Sequence, residues 1–284
     1  AVEIADFDGD GLEDGAFVAT ARDTVAWLKN KGGGDLSEAI VIDNGPSPPY
    51  SLQAVDVDDD GDPDLVVAFY TELALYVNDG AGTFAKRRVA AIKDLHFAHA
   101  ADVDLDGRVD LVTSAYQSAI VSEKSTTIGI SLWRATGDDV LDFDEATLIR
   151  GNTDAVDDDF HNPMRLGTAI AFADVDADGE PEILVTLATD TVMSYKLTNV
   201  CFREHGETPA FDEFVMSSGR LGFQAIAIAA GDINGDGVDD VVYASAVVTV
   251  FDVDDGLIGS TSWLFNTNLN PNVEPWSAEF QKHD

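Results

Sequence analysis

The chain has 284 residues, 45% of them hydrophobic, and carries 53 acidic against 16 basic residues for a formal net charge of −37. This acidity excludes nucleic acid and anionic membrane surfaces as partners, because both require clustered Lys and Arg. A single cysteine, Cys201, excludes an intramolecular disulfide, and no apolar run approaches the ~18 residues of a membrane span.

Self-similarity organises the chain. The first repeat opens with a short apolar run at 2–5, continues with DFDGDGLED at 6–14, and enters a β-favouring run at 16–18. The same order returns at 52–55, DVDDDGDPD (56–64) and 65–69, then at 97–101, DVDLDGRVD (102–110) and 111–113. It returns again at 170–173, DVDADGEPE (174–182) and 183–187, and at 226–230, DINGDGVDD (232–240) and 241–243. A third strand is predicted after each, carrying Trp27, Tyr76, Trp133, Tyr195 or Phe251 as a core residue between sheets. Gly-rich turns at 30–35 and 78–83 lead toward fourth strands that open near Leu36, Phe84, Phe143 and Phe211. Residues 198–209 read as a long connection, and the fifth repeat reads as ending near Phe265, with 266–284 as a tail.

Four short strands in about 50 residues argue for an all-β protein, and a repeat of that period suggests propeller blades. One such sheet cannot bury both faces alone, whereas a ring of them can. The expected fold is therefore a single β-propeller domain over 1–284 with five four-stranded blades, from repeats starting near 1, 51, 97, 168 and 225. The alternative is part of a larger six- or seven-bladed propeller.

The five aspartate-rich stretches hold 24 of the 53 acids and one base, Arg108. Carboxylates crowded this closely repel one another unless a cation sits among them. Calcium prefers six to eight oxygens from carboxylates and backbone carbonyls. In the pattern D-x-D-x-D-G-x-x-D the first position supplies Asp6, Asp56, Asp102, Asp174 and Asp232. The third supplies Asp8, Asp58, Asp104, Asp176 and Asn234, and the fifth Asp10, Asp60, Asp106, Asp178 and Asp236. The seventh offers the carbonyls of Leu12, Asp62, Arg108, Glu180 and Val238, and the ninth the side chains of Asp14, Asp64, Asp110, Glu182 and Asp240. Glycine at the sixth position permits the turn that folds the loop round the ion. An EF-hand would need Glu at position 12 and flanking helices. Here position 12 is Phe17, Val67, Thr113, Val185 or Tyr243, in strand-like runs. Zinc prefers Cys and His, which the loops lack, and magnesium demands tighter octahedral geometry. One Ca2+ per loop, about five ions, is expected.

These loops, each followed by an apolar strand, resemble FG-GAP/VCBS repeats, the blades of integrin-α-type propellers. Residues 77–84, VNDGAGTF, resemble the turn typical of VCBS repeats. The FG and GAP signatures themselves survive only as hints at 166–167 and 221–223. The resemblance implies calcium loops between the first and second strands of each blade. The other connections then share the opposite face, where the third repeat has extra residues at 116–127 and 151–167. Long loops on a rigid scaffold are preferred positions for function. The second insertion contains Phe160, His161 and Arg165, the candidate ligand-binding residues.

Relatives of this kind include adhesion receptors and lectins. The resemblance thus implies an extracellular or cell-surface module, held rigid by calcium, that binds carbohydrate or protein. Two alternatives stand beside it. One is a lyase-like polysaccharide-modifying enzyme using His96, His99 or His161 as base and Arg165 to neutralise charge. The other is an architectural domain of a longer surface protein.

Overall fold

The alternation of apolar and turn-forming runs resolves into strands. The computed structural model describes residues 1–115, 129–136, 141–144, 146–151, 166–175, 179–190, 195–204, 211–218, 223–233, 237–247, 259–266 and 280–283. Among them, regular structure is strand apart from one 3-10 turn at Thr20–Arg22.

Five four-stranded sheets form, each in sequence order. The first contains β1 (Val2–Ala5), β2 (Asp14–Ala19), β3 (Thr24–Leu28) and β4 (Ile40–Asn44). The second contains β5 (Pro49–Val55), β6 (Asp64–Phe69), β7 (Glu72–Asn78) and β8 (Phe84–Ala90). The third contains β9 (Leu95–Ala101), β10 (Asp110–Ala115), β11 (Gly129–Trp133) and β12 (Thr147–Gly151). The fourth contains β13 (Leu166–Ala173), β14 (Glu182–Asp190), β15 (Tyr195–Glu204) and β16 (Phe211–Ser218). The fifth contains β17 (Phe223–Gly231), β18 (Asp240–Val247), β19 (Gly259–Asn266) and β20 (Phe280–His283). Each aspartate-rich loop joins the first and second strands of its sheet, which run antiparallel.

Two compact units share these sheets, one of residues 1–102 and 106–148 and one of 103–105 and 149–284. In the first unit, Phe7, Ala16, Val18, Val25 and Trp27 pack against Leu52, Leu65, Val67, Phe69, Ala74 and Tyr76 of the second sheet. The other face of that sheet sets Val66, Ala68, Leu73 and Leu75 against Leu95, Ala98, Ala100 and Leu111. A strand buried on both faces needs no polar alternation, which is why β6 reads DLVVAF with every residue buried. In the second unit, Ala173, Val175, Leu184 and Val241 form the equivalent core with Ile228 and Ala230.

Val2 and Ile4 are 67% and 59% exposed, although Leu52, four residues before its own loop as Val2 is, is 4% exposed. Position 2 of the loops behaves similarly: Phe7, Val57, Val103 and Val175 are buried, whereas Ile233 is 56% exposed.

The third and fourth strands differ from expectation. Residues 198–204 are not a connection but belong to β15, and residues 280–283 of the supposed tail form β20 against β19. The aromatic alignment shifts for the same reason. The residue after position 9 pairs with Leu28, Tyr76, Trp133, Phe202 and Leu264 in the five sheets. Trp27 lies one residue early, and Tyr195 faces Asp190 at the start of β15. Phe251 lies outside the described residues. Hairpins of unequal length separate the second and third strands, so a fixed offset from the loop misplaces register. Leu36 and Phe143 make isolated bridges to Asn30 and Ala135 ahead of β4 and β12.

Candidate metal centre

Each loop is built by its own carboxylates holding its own backbone. The position 1 aspartate closes the turn. Asp6 accepts the N–H groups of Asp10 (3.2 Å) and Gly11 (2.7 Å), and Asp56 those of Asp60 (3.2 Å) and Gly61 (2.9 Å). Asp102 does the same for Asp106 and Gly107, while Asp174 and Asp232 accept from Gly179 and Gly237. Gly11, Gly61, Gly107, Gly179 and Gly237 all have φ between +84° and +93°, a left-handed conformation that favours glycine. Position 4 is left-handed too in the first three loops, at Gly9, Asp59 and Leu105, which the sequence did not reveal. The position 5 carboxylates of Asp10, Asp60 and Asp106 accept the N–H of Leu12, Asp62 and Arg108 at 2.9–3.0 Å.

Position 9 is a strut. Asp14 and Asp64 are buried, and each bonds backbone on two sides. Asp64 accepts the N–H of Val57 at 3.0 Å and that of Asn78 at 2.7 Å. Asp14 accepts from Phe7 (3.1 Å) and Asn30 (2.6 Å). Asp110 accepts from Ala135, Glu182 from Val175 and Asp240 from Ile233. In the first three repeats position 9 therefore ties the loop to the end of the third strand or the residues just beyond it, a role that spacing alone did not suggest. Neighbouring repeats are joined at the same level: Asn78 Nδ2 donates to the Phe7 carbonyl at 2.9 Å, and the Asp174 N–H to Asp239 at 3.2 Å.

Position 3 is different. Asp8 Oδ1 and Asp58 Oδ1 are buried without a hydrogen-bond partner. A buried carboxylate oxygen left in that state is costly. Burial, then the charges of Asp60 and Asp56, hold the Asp58 carboxyl above its ordinary range. Burial also pushes Asp64 up to about 6, against the lowering effect of its two N–H donors. Both departures are what a divalent cation would reverse.

Among the described residues, three carboxylate clusters could hold such an ion. Asp6, Asp8 and Asp10 each bring an oxygen within 4.8 Å of the others, as do Asp56, Asp58 and Asp64, and Asp102, Asp104 and Asp110. These are subsets of the predicted ligand sets, and hard oxygen donors of this kind fit calcium. In the fourth and fifth loops Asp176, Asp178, Asn234 and Asp236 lie outside the described residues, although Asp174, Glu182, Asp232 and Asp240 repeat the hydrogen bonds above.

The pH dependence of the metal-free protein follows from Asp64. A carboxyl whose folded pKa is raised to about 6 binds its proton more tightly in the fold than in the unfolded chain. Raising the pH through that window therefore removes stability. In chelator the melting temperature is expected to fall between pH 4 and pH 6 more steeply for wild type than for Asp64→Asn. Equal slopes in parallel thermal melts would exclude this assignment.

At the strand ends away from the loops, four side chains meet in the first unit. Tyr50 stacks on His96 with ring centroids 4.4 Å apart, and Tyr70 stands edge-on to His96 at 6.3 Å. The Tyr70 hydroxyl bonds Asp94, whose carbonyl lies 2.9 Å from His96 Nδ1. The three rings are half-buried and Asp94 is buried. Sequence alone does not show this group, because its members come from three separate segments. His96 and His99 both lie in β9, and burial lowers the pKa of each, that of His99 to about 4. Phe160, His161 and Arg165 lie outside the described residues.

Among the described residues no helix is long and apolar enough to cross a membrane. No curated protein matches the sequence. Among solved structures, an Agrocybe aegerita lectin that recognises non-reducing terminal N-acetylglucosamine superposes with TM-score 0.53 at 16% identity, over 87% of this chain. The chain spans 61% of that lectin's length. The Photorhabdus luminescens Tc holotoxin pore gives TM-score 0.43 at 14% identity, over 86% of this chain and 10% of that one. The Vibrio cholerae biofilm matrix protein Bap1 gives 0.32 at 13% identity, over 94% and 74%. A family model described as the FG-GAP-like repeat matches residues 6–67 and 56–113, so the first part of the chain carries FG-GAP-like repeats.

Proposed function

We propose that the chain is a calcium-stabilised binding module of the β-propeller type, acting outside the cell on a carbohydrate or protein ligand. The observation that carries the calcium reading is the buried, partnerless oxygen at position 3 of the first two loops. It lies among other carboxylates on a backbone already folded to receive an ion. Positions 1, 3, 5 and 9 would supply carboxylate or amide oxygens and position 7 its carbonyl, with one Ca2+ in each of the five loops. The bound ion supplies charge neutralisation and rigidity, and the five sheets are then blades of one propeller over 1–284.

The ligand is read onto the face opposite the loops. Sugar rings present C–H faces that pack on aromatic rings and hydroxyls that bond to carboxylates, and binding sites combine such apolar walls with a few convergent polar groups. Tyr50, Tyr70, His96 and Asp94 provide that combination on a rigid part of the fold. The similarity to a lectin supports a carbohydrate over a protein ligand. The segment with Phe160, His161 and Arg165 remains a second candidate for the contact.

A glycan array probed with the full chain in calcium tests the reading. Binding to a defined sugar class is expected, with Tyr50→Ala about tenfold weaker. Retention of full affinity in Tyr50→Ala would move the contact elsewhere, and the absence of any glycan signal would leave the carbohydrate reading without support.

A further inference from the structure

The first loop differs from the second in containing a cation of its own chain. Lys29, one residue beyond β3, places Nζ 2.9 Å from Asp10 Oδ2 and in contact with Asp8 Oδ2 as well. Among the described residues the second loop has no such group. Leu28 pairs with Gly15 as Tyr76 pairs with Leu65, so Val77 holds the register position of Lys29. The same position is Arg134 in the third repeat and Arg203 in the fourth, after Trp133 and Phe202, and Phe265 in the fifth. Three of the chain's 16 bases thus recur at one register step of the repeat. Lys29 first, then the Leu12 N–H, hold Asp10 below the ordinary carboxylate range.

Resting on the reading of these loops as calcium sites, we infer that Lys29 is a tethered counter-ion that competes with calcium for the first loop. When calcium is scarce the ammonium neutralises Asp8 and Asp10 and keeps the loop closed. An entering ion must take over those two carboxylates, and an ammonium within the same few ångströms would repel it. The flexible four-carbon stem lets the charge swing out to solvent, and the side chain is already 35% exposed. The first loop therefore fills after the second.

Two partly exposed ion pairs are weak opponents, so the expected handicap is roughly tenfold in affinity. Calcium calorimetry on the full chain, alongside melts in chelator, tests it. Lys29→Met keeps the aliphatic stem and removes the charge. It is expected to tighten one ion about tenfold without changing the number bound, and to lower the melting temperature in chelator. Asp8→Asn added to that variant should abolish the gain, assigning it to the first loop. Val77→Lys should weaken one ion by a similar factor. A Lys29→Met titration that superimposes on wild type, with calcium still bound, would overturn the inference and leave the calcium reading standing. A wild-type chain that binds no calcium would overturn both.

Discussion

Chelating calcium is expected to lower the melting temperature by roughly 10 °C or more, while magnesium at equal ionic strength restores little of it. The size follows from mass action. An ion that binds only the folded loop stabilises it by about 2.7 kcal/mol when present at 100 times its dissociation constant. Even three such sites exceed the cost of a typical core substitution. The direction follows from charge. The carboxylates converging in the first three loops repel one another when empty, on a chain whose formal charge is −37.

The magnesium control separates site binding from screening of that net charge. Magnesium demands near-octahedral geometry and dehydrates reluctantly, whereas calcium accepts the irregular six to eight oxygens of a loop. A melt that responds equally to both ions would reduce the effect to charge screening. A melt that responds to neither would mean that the position 3 oxygens are satisfied in some other way, and the calcium reading would fail.

The loops were legible in the sequence because their chemistry is local. Every hydrogen bond made by Asp56 and Asp60 falls within five residues, so the spacing that implied a turn around an ion also dictated it. The first and second strands were legible for the same reason. What escaped is non-local. The register of the third strands depends on hairpins that differ in length between repeats, and β20 pairs with β19 across residues 267–279. Asp64 was read as a ligand alone, because its bond to Asn78 crosses from the loop to the third strand. Lys29 was passed over because a lysine after a strand is ordinary until its partner loop is known. The aromatic group at Tyr50, Tyr70 and His96 belongs to no repeat position and required the packing of two sheets to appear.

Position 9 and position 3 are expected to respond to substitution with opposite signs in chelator. Asp64 is a strut, so Asp64→Ala leaves the Val57 and Asn78 N–H groups buried and unbonded and should cost roughly 3–5 kcal/mol in chelator, and more in calcium. Asp58 carries a buried oxygen with no hydrogen-bond partner and is opposed by the charges of Asp60 and Asp56. Removing its charge as Asp58→Asn should therefore stabilise the metal-free protein by about 1 kcal/mol and destabilise the calcium-loaded one. Asp62→Asn, at the position that offers only its carbonyl, should stay within ~0.5 kcal/mol. Denaturant unfolding of the three variants in calcium and in chelator reads all of these signs. If Asp64→Ala proved harmless in chelator, position 9 would be a metal ligand and no strut. If Asp58→Asn destabilised the protein in both conditions, its carboxylate would be structural, and the strongest reason for placing an ion there would be gone.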